Sequence, residues 1–486
     1  MMAAVVGASI GAGGGAGAGA VGIGRHMGGG RFVRTNRDAG RARREDDGVA
    51  IFCTTPPSSP DVVSGAAAFQ RRRVKGVTGA VDAQTSLLEG GRTEGRPRVL
   101  MLYTGGTIGM VWDTERGYVP ESGYLERRLA AMEEFVDPAV PEVEVYAYPN
   151  LKDSCNMEVE DWEEVAVTIA EKGESGAYAG FVVLHGTDTL AYTASALSFM
   201  LQGLEVPVVL TGSQIPLASI RNDARDNLLM STIVAGVSEI PEVMVYFGNT
   251  LLRGNRATKI DALTLTAFAS PNFPPLAQVG VDIMIDYSLV GGYLTAGLRP
   301  LRCQYGLCRD VACIRLFPGM RQKLLRNILI GSDLKGAVLE TFGMGTSSCS
   351  KSFTDVLKEA CDAGVVLVAV TQCSRGMVDL DVYGGSEAMR DAGVVSGYDM
   401  TSEAAITKLA FLLGQIGNLV RDIDHVKELM GVNLRGELTG PAEVTGRFID
   451  SGTAHHLKEV VAAEPAGPLF PKGKMSVRPW HTANDI

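Results

Sequence analysis

The sequence predicts an α/β protein of two domains, each built on a largely parallel sheet, and three features carry that reading. Short apolar runs of the kind that form buried strands recur along the chain. Helical patterns of roughly 10–15 residues separate them, which is the signature of βαβ units. An irregular stretch at 296–310 interrupts this alternation before it resumes.

In the first half, Val99–Tyr103 is an apolar run that enters Gly105-Gly106, a buried strand leading into a glycine loop. Val143–Tyr148 alternates as a strand. From Met157, the residues Val159, Trp162, Val165, Ala166, Ile169 and Ala170 recur at helical spacing. Phe181–Leu184 is a second buried strand, and Leu190, Ala194, Leu197 and Leu201 then space as a helix until Gly203 and Pro207 end it. Val208–Leu210, a helix at 223–236 and Val243–Phe247 complete the first domain. The second, smaller domain reads as strand 311–315, strand 337–341, helix 352–362, strand 365–370 and helices near 402–414 and 421–430. The expected boundaries are 98–295 for the first domain, 296–310 for a linker and 311–444 for the second domain. Segments 1–97 and 445–486 are expected to be an extension and a tail.

Charge separates the extension from the body. Residues 1–98 hold 14 Lys and Arg against 8 Asp and Glu, whereas 99–486 hold 31 against 47. An acidic body argues against nucleic-acid binding, which requires cations to neutralise phosphates. Segment 1–97 is rich in Gly, Ala and Arg, with Arg25, Arg31, Arg34 and Arg37 all preceding the first acid, Asp38. It is expected to be disordered, with an organellar transit peptide as the alternative. No run approaches the ~18 apolar residues of a membrane-spanning helix, so no membrane role is expected. The eight cysteines form no CxxC pair and read as thiols of a reduced compartment. Four of six histidines fall in the terminal segments, leaving His185 and His425 in the body. That disfavours a multi-histidine metal site and a Ser-His-Asp triad, and neither metal nor organic cofactor is expected.

Ligands of open α/β sheets bind beyond the carboxyl ends of the strands. Three polar clusters occupy such positions: Thr104-Gly105-Gly106-Thr107, Asp153-Ser154 and Gly186-Thr187-Asp188. Taken singly, each fits ordinary loop and helix-cap chemistry. The first is neither GxGxxG nor GxxxxGK[ST], which argues against nucleotide binding. What it offers is a pair of threonine hydroxyls among backbone amides. A threonine can act as a nucleophile when a base takes its proton, and loop amides can form an oxyanion hole. His185 reads as a packing residue at a strand end.

The runs Val99–Met110 (VLMLYTGGTIGM) and Leu184–Leu197 (LHGTDTLAYTASAL) resemble the two signatures of the bacterial-type L-asparaginase family. Thr211–Pro216, Arg253–Lys259, Phe268–Asn272 and Asn433–Leu438 match further family motifs and point to its type I, cytosolic branch. The resemblance covers about Arg98 to Thr439. It implies a two-domain asparaginase-like fold and hydrolysis of L-asparagine to aspartate and ammonia, in a cytoplasmic homodimer or homotetramer. By position it implies Thr104 as nucleophile, Tyr118 on a mobile lid, and Thr187, Asp188 and Lys259 as a second set. Asp153, Ser154 and Cys155, together with Thr187 and Asp188, then match the substrate-binding residues. Cys155 stands where many relatives have Ser. Type I bacterial enzymes are often activated by asparagine at a second pocket; there Cys373 is kept, but Glu340 replaces Arg and Thr346 replaces Asn. An acid at that place would repel an effector carboxylate. A glutaminase-leaning amidase, the asparaginase-like subunit of a transamidosome and a non-catalytic asparagine-binding sensor are the competing readings.

Overall fold

A computed structural model describes residues 95–121, 123–291, 301–381 and 384–440 and the backbone of 475–477. The extension expected over 1–97 therefore lies outside the described residues except at 95–97, and so does the tail except at 475–477. The first domain is organised by a nine-stranded sheet. Its parallel part runs, side by side, Glu142–Lys152, Arg98–Gly105, Gly180–Leu184, Val208–Thr211 and Val243–Phe247. In chain order these are strands two, one, three, four and five. The winding reverses between Arg98–Gly105 and Gly180–Leu184, which makes that crevice the switch point where such sheets bind ligands.

The inner strands read as unbroken apolar runs because helices cover both faces. Glu142–Lys152 lies at an edge and alternates, with Val143 and Val145 partly covered and Glu142 and Glu144 more exposed. Beyond Val243–Phe247, the strands Thr250–Arg253, Ala277–Val279, Ile283–Ile285 and Met475–Val477 continue the sheet antiparallel. These strands are only three or four residues long, too short for alternation to betray them in sequence.

The second domain carries four parallel strands in chain order: Val311–Arg315, Gly336–Thr341, Val366–Thr371 and Val395–Ser396. Its expected helices appear at Lys351–Asp362, Ser402–Gly414 and Ile423–Met430, and two unexpected eight-residue helices at Gln322–Leu329 and Gly384–Asp391. The described part of the expected linker is not loose. Arg302–Cys303 pairs with Leu201–Gln202, and the Cys308 amide donates to the Ala410 carbonyl.

Helix Leu190–Met200 is buried on nearly every side, because the sheet covers one face and helix Ser402–Gly414 of the second domain another. Phe199 and Phe411 stack across that seam with ring centroids 6.1 Å apart. Buried ion pairs lie on both sides of it, and the pair Arg256–Asp399 crosses it. The Lys408 ammonium meets Glu437 Oε1 at 2.6 Å and donates to the Met430 and Val432 carbonyls. Glu437 also accepts the Leu434 and Arg435 amides. Arg253 meets Glu242 through two nitrogens, and Arg256 reaches Asp399 at 2.9 Å and the Gly436 carbonyl at 2.6 Å. The Phe273 ring lies beneath both guanidiniums.

Removing one partner of a fully buried pair strands the other charge, at a cost of about 3–5 kcal/mol. Glu437→Ala is expected to lose stability on that scale in urea unfolding. The double variant Lys408→Met/Glu437→Leu should lose less than the single one. A loss below ~1 kcal/mol for Glu437→Ala, typical of exposed pairs, would contradict this view of the buried pair.

Candidate active site

Three loops converge at the carboxyl ends of the strands flanking the switch point. They approach so closely that glycine is required where they touch. Gly105 (φ 123°) has no room for a Cβ, which would fall 2.1 Å from the Lys152 carbonyl oxygen. At Gly106 (φ 82°) a Cβ would fall 2.4 Å from the Gly186 nitrogen. The Gly106 amide donates to Lys152 O, and Thr189 Oγ1 donates to Ser154 O at 2.7 Å. The loop of Asp153, Ser154 and Cys155 is thereby clamped to both neighbours. Ser154 is buried with its hydroxyl unpartnered, while Asp153 and Cys155 are exposed.

Lys259 joins this edge from a distant part of the chain. Its ammonium donates to Thr187 Oγ1 at 2.9 Å and to Asp188 Oδ1 at 2.6 Å. Thr187 in turn donates to Gln214 Oε1 at 3.3 Å. Gln214 is fixed by its own amide, which donates to Thr264 O, and by Asp223, which accepts the Gln214 and Ile215 backbone amides. Gln214 lies within the motif Thr211–Pro216, where sequence alone assigns it no role. The available signal was its place three residues past the end of strand Val208–Thr211.

The two threonines of the glycine loop differ. Thr104 is still part of the strand, is 5 % exposed, and donates its hydroxyl to the Leu184 carbonyl at 2.9 Å. Thr107 lies past both glycines, opens the turn Thr107–Gly109 and is half-buried, and its hydroxyl bonds to no other described residue. The hairpin Met110–Asp113/Gly117–Pro120 grows directly from that turn. Tyr118 stands on it, about half exposed, edge-to-face with Trp112 at 5.1 Å.

His185 is fully buried between the Gly186 carbonyl, 2.7 Å from Nδ1, and Thr193 Oγ1, 2.9 Å from Nε2. Burial pulls its pKa down to about 4, against a weaker opposing effect of the Gly186 bond. It is a neutral packing group, with both ring nitrogens already partnered. Beside Lys259 a cleft of 610 Å³ opens between the domains, lined in part by Thr258, Asn272, Arg315, Glu340, Cys373 and Glu403. Glu340 is held by Arg315 at 3.1 Å and Ser402 at 2.6 Å, and Thr346 turns its hydroxyl onto Phe342 O. Among the described residues no three His, Cys, Asp or Glu side chains could hold a metal ion, and no helix is long and apolar enough to cross a membrane.

A glycine loop bearing a free hydroxyl, beside a lysine–aspartate–threonine set at a sheet switch point, defines an α/β enzyme suited to nucleophilic acyl transfer. The chain belongs to the asparaginase family: the model "Asparaginase, N-terminal" matches residues 98–290, and "Glutaminase/Asparaginase C-terminal domain" matches 310–430. It is 43% identical to L-asparaginase 1 of Escherichia coli over 70% of this chain and 98% of that protein. It is also 42% identical to a mouse protein named 60 kDa lysophospholipase, over 71% of this chain and 63% of that one. Among solved structures, L-asparaginase I of Vibrio cholerae aligns with a TM-score of 0.63 at 41% identity, covering 71% of this chain and 99% of that one.

The state of His185 has a consequence for stability. Unfolded, an imidazole takes its proton as pH falls through about 6.5, whereas the folded protein resists until about 4. The contribution is complete above pH 6.5 and is lost as pH falls from there to 4. Between pH 7.5 and pH 5 it amounts to roughly 2 kcal/mol. Urea unfolding of the wild type and of His185→Gln at both pH values should show the smaller pH-dependent loss in the variant. Equal losses would mean that His185 protonates normally.

Proposed function

We propose that the protein hydrolyses the side-chain amide of L-asparagine to L-aspartate and ammonia. The observation that carries this reading is Lys259 Nζ, placed within hydrogen-bond reach of both Thr187 Oγ1 and Asp188 Oδ1. Family membership makes asparagine the first substrate to test. Asp153, Ser154 and Cys155 would grip the α-amino and α-carboxylate groups with Thr187 and Asp188, and Tyr118 would stand over the reacting amide from its hairpin.

For the attacking hydroxyl the geometry favours Thr107 over Thr104. Thr104 would first have to leave the Leu184 carbonyl, inside a strand that leaves it little room. Thr107 stands free, beyond the strand end, where ligands of such sheets lie. Its oxygen adds to the amide carbon, and neighbouring loop amides are suited to stabilise the oxyanion. The proton taken from Thr107 passes to the amide nitrogen, the C–N bond breaks to release ammonia, and water cleaves the ester left on the threonine, giving aspartate and returning the hydroxyl. Lys259 serves as a base only in its neutral form. Through the Thr187 hydroxyl it would draw the proton of Thr107 in the first step and that of water in the second. A cytoplasmic homodimer or homotetramer is part of the same proposal.

Ammonia release from L-asparagine and L-glutamine tests it. The wild type should turn over asparagine, and Thr107→Ala should lose at least ~10³-fold in kcat, as removal of a nucleophile does. Thr104→Val, which loses one hydrogen bond of about 1 kcal/mol, should lose less than ~10-fold. The reverse order of the two variants would restore Thr104 as the nucleophile. Preference for glutamine would shift the reading to a glutaminase, and no turnover of either amide would favour a binding protein.

A further inference from the structure

We propose that Glu403, a residue of the second domain, is the positioning residue that holds Lys259 against Thr187 and Asp188, acting through Thr258. The inference rests on the role of Lys259 given above.

Lys259 has little local support for so demanding a position. It lies on a strand of two residues, Thr258–Lys259, outside the large sheet and paired only with Phe268–Ala269. Successive residues of a strand point to opposite faces. Lys259 reaches the site loops, and Thr258 turns the other way, into the second domain. There Thr258 Oγ1 donates to Glu403 Oε1 at 2.6 Å. The partners are 145 residues apart and belong to different domains.

Glu403 is anchored in its turn. It sits in the first turn of helix Ser402–Gly414, whose N-cap Thr401 accepts the Ala404 amide. That helix packs on Leu190–Met200, which begins two residues after Asp188. One second-domain helix thus supports both arms of the set: Lys259 through Glu403 and Thr258, and the Thr187-Asp188 loop through the helix that follows it. Tyr192 of Leu190–Met200 shares this environment. Burial first, then the nearby Glu403, Cys313 and Glu340, push its pKa up to about 12. Burial likewise raises the pKa of Glu403, against hydrogen bonds from Thr258 and Thr401, with Glu340 adding to the rise. Glu403 is half-buried at the wall of the cleft, and its 2.6 Å bond to Thr258 supplies the tether. Proton transfer needs donor and acceptor within about 3 Å, and a misplacement of ~1 Å can cost ~10²-fold in rate.

The test measures kcat and KM for L-asparagine together with the thermal midpoint of each variant. Glu403→Ala and Thr258→Val should each lower kcat by ~10–100-fold with a smaller change in KM, since Asp153, Ser154 and Cys155 are untouched. Glu403→Gln keeps an acceptor oxygen and should recover most of the loss. The double variant Thr258→Val/Glu403→Ala should be no slower than the slower single one, because both break the same link. Should Glu403→Ala fail to fold, Thr258→Val, nearly isosteric, carries the comparison. Unchanged kcat in the singles, a change confined to KM, or additive losses in the double variant would overturn the proposal. Lys259→Met is the control. Its inactivity beside normal Glu403→Ala and Thr258→Val refutes the positioning role alone, whereas its activity refutes the reading of Lys259 itself.

Discussion

The contact between the Lys259 ammonium and the Thr187–Asp188 pair is the constraint on which the rest of the site depends. It joins groups 71 and 72 residues apart, so no local propensity creates it. Two pieces of scaffold must meet. One is the sheet, whose adjacent strand ends bring the glycine loop and the Thr187–Asp188 loop to one edge. The other is the segment Arg253–Lys259, which carries the amine back to that edge.

The second piece explains why so many charges are buried far from any substrate. The turn Gly254–Arg256 leads directly into Lys259. Arg253 and Arg256 pin that turn to Glu242 and Asp399, while Asn255 donates to Arg435 O. Lys408 and Glu437 then hold the segment bearing Arg435 against helix Ser402–Gly414. Buried pairs are poor bargains for stability alone. Here they fix the path of the chain that delivers the amine, a role an apolar patch of equal volume would fill with less directional control. The glycines at 105 and 106 solve the complementary problem, letting backbones touch where side chains would hold the loops apart.

Much of this was legible in sequence, and the limits are physical. The inner strands announce themselves because both faces are covered, so Phe181–Leu184 and Val243–Phe247 are uninterrupted apolar runs. The polar clusters stand out because they follow such runs directly. The family resemblance implies Thr104 as nucleophile, whereas the geometry favours Thr107; the motif contains both, and only the point where the strand ends separates them. His185 is legible as a packing residue, since a histidine closing an apolar strand has a covered place to go. The antiparallel edge strands, the eight-residue helices and the pairing of the linker with Leu201–Gln202 left too few residues to show a period. The contacts of Gln214 and Glu403 are illegible for another reason: their partners, Thr187 and Thr258, are 27 and 145 residues away.

The account stands most directly on which oxygen forms the bond to substrate. A diazoketone analogue of L-asparagine, incubated with the protein, alkylates the hydroxyl that the site activates. Tryptic cleavage then releases Val99–Arg116, which contains both loop threonines, and fragmentation in the mass spectrometer assigns the modified residue. The account predicts a single adduct on Thr107, prevented by excess L-aspartate and absent from Lys259→Met. An adduct on Thr104, or labelling that does not depend on Lys259, would contradict it.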